Sequence, residues 1–303
     1  MTLLRPSLPA SVPCDFSGAG GLRLAAESWS AGSGRPILLA HGFGQTRQSW
    51  AGSQSVLAEA GYPGLSWDMR GHGQSERNSP ELRYQAEQFV GDVVAAARTL
   101  GDQPVLVGAS MGGLTGLMAQ ATQRLFSALV LVDVTPHWEP AGLARIRSFM
   151  TGHPEGFDSF EHAAESIAGY LPHRRERKTP KQLSALLRAD ADGRLRWHWD
   201  PRLLEEFVQG SEHLQERIAT AARDLDIPVL LISGGRSDLV SDRTVGQFLQ
   251  LVPHARHVRL PNATHMLAGD DNDAFSRTLL DFLGAQFPSN PAAKATTASG
   301  AVP

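Results

Sequence analysis

The stretch Pro104-Val105-Leu106-Val107-Gly108-Ala109-Ser110-Met111-Gly112-Gly113 decides how the rest of the chain is read. Its first five residues, Pro104 to Gly108, form an apolar run typical of a strand buried on both faces. From Met111 to Gln123 the chain is rich in small residues and reads as a helix. Ser110 therefore stands at a sharp strand-to-helix turn, inside a Gly-x-Ser-x-Gly pattern set by Gly108 and Gly112. A serine at such a turn takes a strained backbone conformation, and its small neighbours let the chain pass closely. The turn lifts the hydroxyl out of the sheet and points the N-terminus of the next helix at it. The plain alternatives are an ordinary glycine-rich turn or a phosphate loop. No Gly-Lys-Ser/Thr supports the latter.

Working outward, the same alternation recurs. Leu22 to Trp29 reads as a short strand, and Pro36 to Ala40 as a fully buried one ending in the glycine-rich turn His41-Gly42-Phe43-Gly44. Gln48 to Ala60 reads as a helix, Gly64 to Trp67 as a strand, and Tyr84 to Leu100 as a helix with Phe89, Val93, Val94 and Ala97 on one face. Ala128 to Val134, Ile227 to Ser233 and His257 to Leu260 are further strands, and Ala274 to Phe287 a closing helix. Short apolar strands alternating with helices predict an α/β fold with a parallel sheet covered on both faces. The segment 136–222 interrupts the pattern with aromatic residues, charges and helical segments but no strand, and is expected to be a helical lid over the C-terminal sheet edge, where ligands of open α/β sheets bind. The expected division is a core of residues 1–135 and 223–287, the insertion 136–222, and a disordered tail 288–303 rich in Ala, Ser, Thr and Pro.

A serine hydroxyl needs a base to act as a nucleophile. Of the eleven histidines, His265 alone follows the last strand and precedes the final helix, on the edge that carries Ser110. A surface histidine is the alternative. The imidazole in turn needs a carboxylate to orient it. Asp238, in Gly234-Gly235-Arg236-Ser237-Asp238, follows the strand ending at Ser233 and is the expected acid, giving the chain order Ser110, Asp238, His265. Asp133, at the end of the preceding sheet strand, and Asp242, a helix cap by position, are its rivals. The expected oxyanion donors are the backbone N–H groups of Met111 and Phe43. His41 reads as a loop anchor. Asp68-Met69-Arg70-Gly71-His72-Gly73-Gln74-Ser75 reads as a structural turn, with Asp68 and Arg70 paired or bonded to backbone.

Composition sets the bounds. The chain has 303 residues, 42% hydrophobic and 19% charged, enough to bury a sizeable core. A formal net charge of -3 gives no electrostatic case for nucleic acid or an anionic membrane as partner. The single cysteine, Cys14, makes neither an internal disulfide nor a cysteine-based zinc site and fits a reducing compartment. No metal-ligand spacing of the H-E-x-x-H kind occurs, no signal-peptide core opens the chain, and no run reaches the ~18 apolar residues of a membrane helix. The expectation is a cytoplasmic protein with no metal or organic cofactor, acting on a small molecule. Oligomeric state is not encoded in any feature of this kind. The insertion's aromatic residues, above all Trp138, Phe149, Tyr170, Trp197 and Trp199, are expected to contribute to an apolar pocket, with cap packing as the alternative for each.

The blocks His41 to Gly44, Asp68 to Ser75 and Gly108 to Gly113 resemble three signature blocks of the α/β-hydrolase superfamily, and Gly235 to Val240 and Asn262 to His265 resemble its acid and histidine loops. The resemblance spans residues 15–287. It implies a mostly parallel eight-stranded sheet flanked by helices, with an inserted helical lid, and some members place the acid where Asp133 stands. The chain looks most like small esterases, enol-lactonases and cofactor-free perhydrolases. Related epoxide hydrolases and haloalkane dehalogenases carry aspartate as nucleophile, so Ser110 argues against those chemistries. The resemblance implies ester cleavage through an acyl-enzyme, with lactone opening, thioester or carbon–carbon hydrolysis and perhydrolysis as alternatives on the same residues. A non-catalytic ligand receptor is the alternative of a different class.

Overall fold

The computed structural model describes residues 11–101, 103–170, 179–208, 211–265 and 273–287. In chain order, strands β1 (Val12–Ser17), β2 (Arg23–Trp29) and β3 (Ile37–Ala40) precede helix α1 (Ala51–Glu59). Then follow β4 (Gly64–Trp67), α2 (Ala86–Leu100), β5 (Val105–Ala109), α3 (Met111–Gln123) and β6 (Ala128–Val132). After β6 come α4 (Pro140–Thr151), α5 (Phe160–Tyr170), α6 (Pro180–Ser184), β7 (Leu187–Ala189), β8 (Leu195–Trp197), α7 (Leu203–Val208) and α8 (Ser211–Arg223). The core resumes with β9 (Val229–Gly234), α9 (Asp242–Leu251), β10 (Arg256–Leu260) and α10 (Asp273–Gln286). The eight-stranded sheet runs β1-β2-β4-β3-β5-β6-β9-β10. It is parallel from β4 to β10, and β1 and β2 add an antiparallel edge.

Side-chain alternation along each strand feeds two cores. Leu38, Leu106, Leu129 and Leu231 face Phe89 and Val93 of α2, Leu117 of α3, Ile218 of α8 and Phe248 of α9. Their neighbours Ile37, Leu39, Val107, Val130 and Ile232 face Leu57 of α1 and Phe275, Leu279 and Phe282 of α10. A strand with apolar neighbours on both sides has no polar position to spare, hence the unbroken apolar runs. Two elements depart from the sequence reading. β1 was not expected: it contains Pro13 and sits at the sheet edge, where a missing N–H is tolerated and little apolar pattern is needed. The insertion is not all-helical, because β7 and β8 form an antiparallel ribbon with Leu187 opposite Trp197. Its turn is closed by the Gly193 N–H donating to Asp190 O, with Gly193 at a φ of 79°. Phe157, Ala163, Ile167, Leu183 and Leu187 give the insertion a small core of its own. The segment 288–303, expected as a disordered tail, lies outside the described residues. No described helix is long and apolar enough to cross a membrane.

The loops at the C-terminal sheet edge are held by buried polar groups. Asp68, buried after β4, accepts the N–H groups of Arg47 (2.8 Å) and Gln74 (2.9 Å) and pairs with the Arg47 guanidinium. Arg70 is not its partner: Nε and Nη2 reach the two oxygens of Asp92, each at 2.6 Å, and Nη2 also donates to Ala19 O. Burial raises the Asp92 pKa against the opposing pull of Arg70. Beside them stand three buried imidazoles, His41, His72 and His198, with centroids 5.2 Å apart for the first pair and 5.9 Å for the second. Each accepts a backbone N–H on one nitrogen: Met69 to His41 Nε2 (2.9 Å), Gly44 to His72 Nε2 (3.2 Å), Gly73 to His198 Nδ1 (2.8 Å). Each donates from the other to a carbonyl: His41 to Gly42 (2.8 Å), His72 to Arg70 (3.1 Å), His198 to Gly44 (3.3 Å). A ring that accepts on one nitrogen must be neutral.

Burial lowers the pKa of all three, that of His72 well below its usual value and that of His198 to about 4, and the neighbouring rings add to the effect on His72 and His198. The unfolded value is ~6.5. As pH falls below that value, the unfolded chain takes up protons the folded protein refuses, so stability drops until the folded-state pKa values are reached. Urea unfolding between pH 7 and pH 4.5 should therefore show a steadily falling midpoint with net proton uptake on unfolding; a level midpoint across this window contradicts the neutral cluster. A second expectation concerns Gly112. A Cβ there would lie 2.5 Å from Ala40 O and 2.7 Å from His41 O, both backbone. Gly112→Ala should cost about 1–3 kcal/mol by overpacking, read as a lowered urea midpoint.

Candidate active site

Ser110 sits between β5 and α3 with φ at 47° and ψ at -118°, a left-handed region that non-glycine residues avoid. The strain is sustained because the flanks are fixed. Ala109 pairs with Val132 in the sheet, and the Ser110 N–H donates to Val132 O at 3.1 Å. The next residue on the neighbouring strand is Asp133, which also has a positive φ, of 50°. Its N–H donates to Ile232 O at 2.7 Å. Ser110 and Asp133 thus leave adjacent parallel strands at the same level.

The Asp133 carboxylate is fully buried and takes three hydrogen bonds. The Gly234 N–H reaches Oδ1 at 2.7 Å, the Ser237 hydroxyl reaches Oδ2 at 2.5 Å, and His265 Nδ1 donates to Oδ2 at 2.7 Å. The Ser237 oxygen in turn receives the N–H groups of Leu239 (3.2 Å) and Val240 (3.1 Å). The histidine loop is laid against β9 by Gly235 N–H to Leu260 O (2.8 Å) and Arg236 N–H to Ala263 O (2.9 Å). With Nδ1 committed to Asp133, the Nε2 of a neutral His265 is an acceptor.

Asp238, the expected acid, is not brought to His265. Its carboxylate faces Arg145 of α4 at 3.2 Å and is 30% exposed. The loop after β9 turns at Ser237, which reaches inward to Asp133, and Asp238 is left pointing at the insertion. Around it, Glu139 N–H donates to Leu239 O at 3.0 Å, and the Glu139 carboxylate accepts from Ser241 (2.5 Å) and Arg243 (2.9 Å). Asp242, the other rival, pairs with Arg259 at 2.6 Å on the surface. Sequence reasoning passed over Ser237. The signal for Asp133 was available: a carboxylate at the end of an unbroken apolar strand must be buried, and a buried carboxylate needs donors.

Opposite Ser110 runs the loop 41–44. A Cβ built on Gly42 would lie 3.2 Å from Ser110 Cβ, so the loop passes within van der Waals reach of the serine. The Gly42 carbonyl accepts both His41 Nδ1–H and the Gln45 N–H (3.2 Å). Because the peptide is planar and trans, pinning that carbonyl directs the Phe43 N–H to the opposite side. Met111, the first residue of α3, has an N–H with no acceptor one turn earlier in the helix.

A cavity of about 310 Å³ opens from Ser110 along α3. Met111, Leu114 and Met118 of α3, Phe89 of α2, Trp138, Leu143 of α4, Leu203 of α7, Leu214 and Ile218 of α8, and Leu239 and Val240 line it. Its polar boundary includes Glu87 and Arg217, paired at 2.7 Å, and His213. Of the five aromatics singled out above, Trp138 lines this cavity. Phe149 and Tyr170 instead stack on each other at 4.2 Å, Trp197 sits edge-on to Phe149 and Phe157, and Trp199 is buried against the Phe43 ring at 5.0 Å. These four are occupied in holding the insertion together or seating it on the core.

Comparison with known proteins places this chain in a family. The α/β-hydrolase-fold family model matches residues 35–271. The chain is 28% identical to a 3-hydroxybutyrate-oligomer hydrolase of Cupriavidus necator, covering 82% of this chain and 89% of that one. It is 26% identical to a 2-(acetamidomethylene)succinate hydrolase of Mesorhizobium japonicum, over 84% and 90% of the two chains. An esterase of Mycobacterium tuberculosis is 28% identical over 78% of each. The crystal structure of an E-2-(acetamidomethylene)succinate hydrolase superposes with a TM-score of 0.77 at 23% identity, over 90% of this chain and 99% of that one. With the family model covering most of its length, the chain belongs to the α/β-hydrolase fold family.

Proposed function

We propose that this protein is a serine hydrolase that cleaves a carboxylic ester, or a closely related acyl bond, of a small molecule with an apolar portion. One observation carries the reading: the strained Ser110 turn stands one strand away from a buried carboxylate whose partner, at 2.7 Å, is His265. A serine, a base and a buried orienting acid at one sheet edge are the parts of acyl transfer. Relatives named as esterase, hydrolase and methylesterase support the same class. The acid in this mechanism is Asp133, in place of the Asp238 expected from sequence.

Ser110 attacks the carbonyl carbon while His265 Nε2 takes the hydroxyl proton. Asp133, holding Nδ1–H, keeps the ring in the required tautomer and offsets the imidazolium charge. The developing oxyanion is received by the N–H groups of Met111 and Phe43. His265 then returns its proton to the leaving group, and the acyl-enzyme is opened by water that His265 activates. The 136–222 insertion serves as the lid, its α4, α7 and α8 residues closing the apolar cavity over α3. The cavity's apolar wall favours a hydrocarbon acyl or alcohol group over a polar one.

Three measurements test this. Ser110→Ala should abolish labelling by a fluorophosphonate, and labelling equal to wild type sinks the nucleophile assignment. Asp133→Asn should lower kcat on p-nitrophenyl butyrate by about 10⁴-fold, while Asp238→Asn stays within about threefold. The reverse ranking restores Asp238 as the acid. For the cavity, Met118→Trp should shift preference from p-nitrophenyl octanoate to the acetate by roughly tenfold or more in relative kcat/KM; an unchanged ratio means that the chain does not lie along α3.

A further inference from the structure

The proposed mechanism depends on the aim of one backbone N–H, that of Phe43. The peptides on either side of Phe43 are gripped at Gly42 O by His41 and at the Gly44 N–H by His72, and the next peptide, Gly44–Gln45, is held at Gly44 O by His198 while its own N–H end, on Gln45, donates to Gly42 O. Two of these rings belong to the core, in the loops after β3 and β4. The third does not. His198 directly follows β8 in the insertion, 154 residues from Gly44, and both its nitrogens are spent on core backbone, Nδ1 on Gly73 N–H and Nε2–H on Gly44 O. Its neighbour Trp199 packs on the Phe43 ring at 5.0 Å. Main chain and side chain of the loop are thus held by two consecutive residues of the insertion.

We propose that His198 is a positioning residue through which the insertion sets the Phe43 N–H, so that the oxyanion site is complete only with the insertion seated. The idea rests on the acyl-transfer reading above. Gly44 has a φ of 73° and no side chain to restrain it, so the Gly44–Gln45 peptide keeps its orientation only through the bonds at its two ends, His198 on Gly44 O and the Gln45 N–H on Gly42 O, the carbonyl whose pinning directs the Phe43 N–H. Loss of the His198 bond frees the carbonyl end. The charged groups facing His198 are Arg77, which donates to its carbonyl oxygen at 3.2 Å, Asp68 and Arg188, together with His41 and His72. None of them offers a substitute donor to Gly44 O in the structure. A displaced catalytic group costs ~10²-fold in rate per ångström or so, which sets the expected size.

The test uses the full chain with His198→Ala, His198→Asn and His198→Gln. Glutamine carries an amide N–H near the position of Nε2; asparagine stops short, near Nδ1. The readouts are kcat and KM on p-nitrophenyl butyrate, the inhibition constant of an aryl trifluoromethyl ketone, which forms a tetrahedral oxyanion on serine, and the thermal midpoint. Alanine and asparagine should lower kcat by about 10²-fold and weaken the ketone by a similar factor, with KM within about threefold, and glutamine should recover at least tenfold of the loss. Equal losses in asparagine and glutamine, or a kcat unchanged in all three, overturn the proposal. Should these variants fail to fold, Arg77→Met, which removes only the exposed donor to the His198 carbonyl, decides: a drop of about threefold or more in both kcat and ketone affinity at constant KM supports it, and no change refutes it. If fluorophosphonate does not label wild-type Ser110, the acyl-transfer reading fails; if it labels and the variants behave as wild type, only the role of His198 fails.

Discussion

A carboxylate with no access to water must be surrounded by donors, or it does not stay charged. Asp133 meets that demand with three groups drawn from three places: the end of β9, the loop beyond it, and the histidine loop after β10. Satisfying one buried side chain therefore fixes the relative position of three chain segments at the sheet edge. The cost is visible at Asp133 itself, whose φ of 50° lies in a left-handed region that residues with a side chain seldom adopt. Ser110 carries the same kind of strain one strand away. Two strained residues side by side are stable because the strands beneath them are packed on both faces and have no freedom to relax.

The imidazole cluster solves the complementary problem for the loop that passes Ser110. Neutral histidine supplies one acceptor and one donor on a rigid ring, so three of them tie down both kinds of backbone group without placing charge in the interior. The arrangement has a condition attached. It works only while the rings stay neutral, and burial enforces this by lowering all three pKa values. The same desolvation that preserves the loop geometry makes the fold sensitive to acid.

Legibility in the sequence followed the range of the interaction. Strands β3, β5, β6 and β9 were readable because burial on both faces leaves an unbroken apolar run. Ser110 was readable because its turn needs small residues next to it in the chain, and His265 because its place after the last strand is enough to put it at the right edge. The carboxylate that meets His265 was harder. Asp133 and Asp238 both follow sheet strands at that edge, and the choice turns on a loop conformation set by Ser237 and by Arg145, 93 residues away from Asp238. The insertion's aromatics were equally ambiguous: of the five singled out, Trp138 lines the Ser110 cavity and the others pack among themselves or on the Phe43 ring of the core, and no local pattern distinguishes Trp138 from Trp197. Strands as short and charged as β7 and β8 leave no periodicity to read.

The contact between Asp238 and Arg145 has a consequence for how such a protein can diverge. In the proposed mechanism the orienting carboxylate comes from β6, which leaves the segment 238–243 to seat the first helix of the insertion through Asp238, Leu239, Ser241 and Arg243. Substitutions in this seat would tilt α4 and reshape what enters the cavity while leaving Ser110, His265 and Asp133 undisturbed. On that proposal, recognition and reactivity are housed in separate parts of one loop, Ser237 serving the second and its successors the first, so that a lineage can explore new substrates here without passing through inactive intermediates.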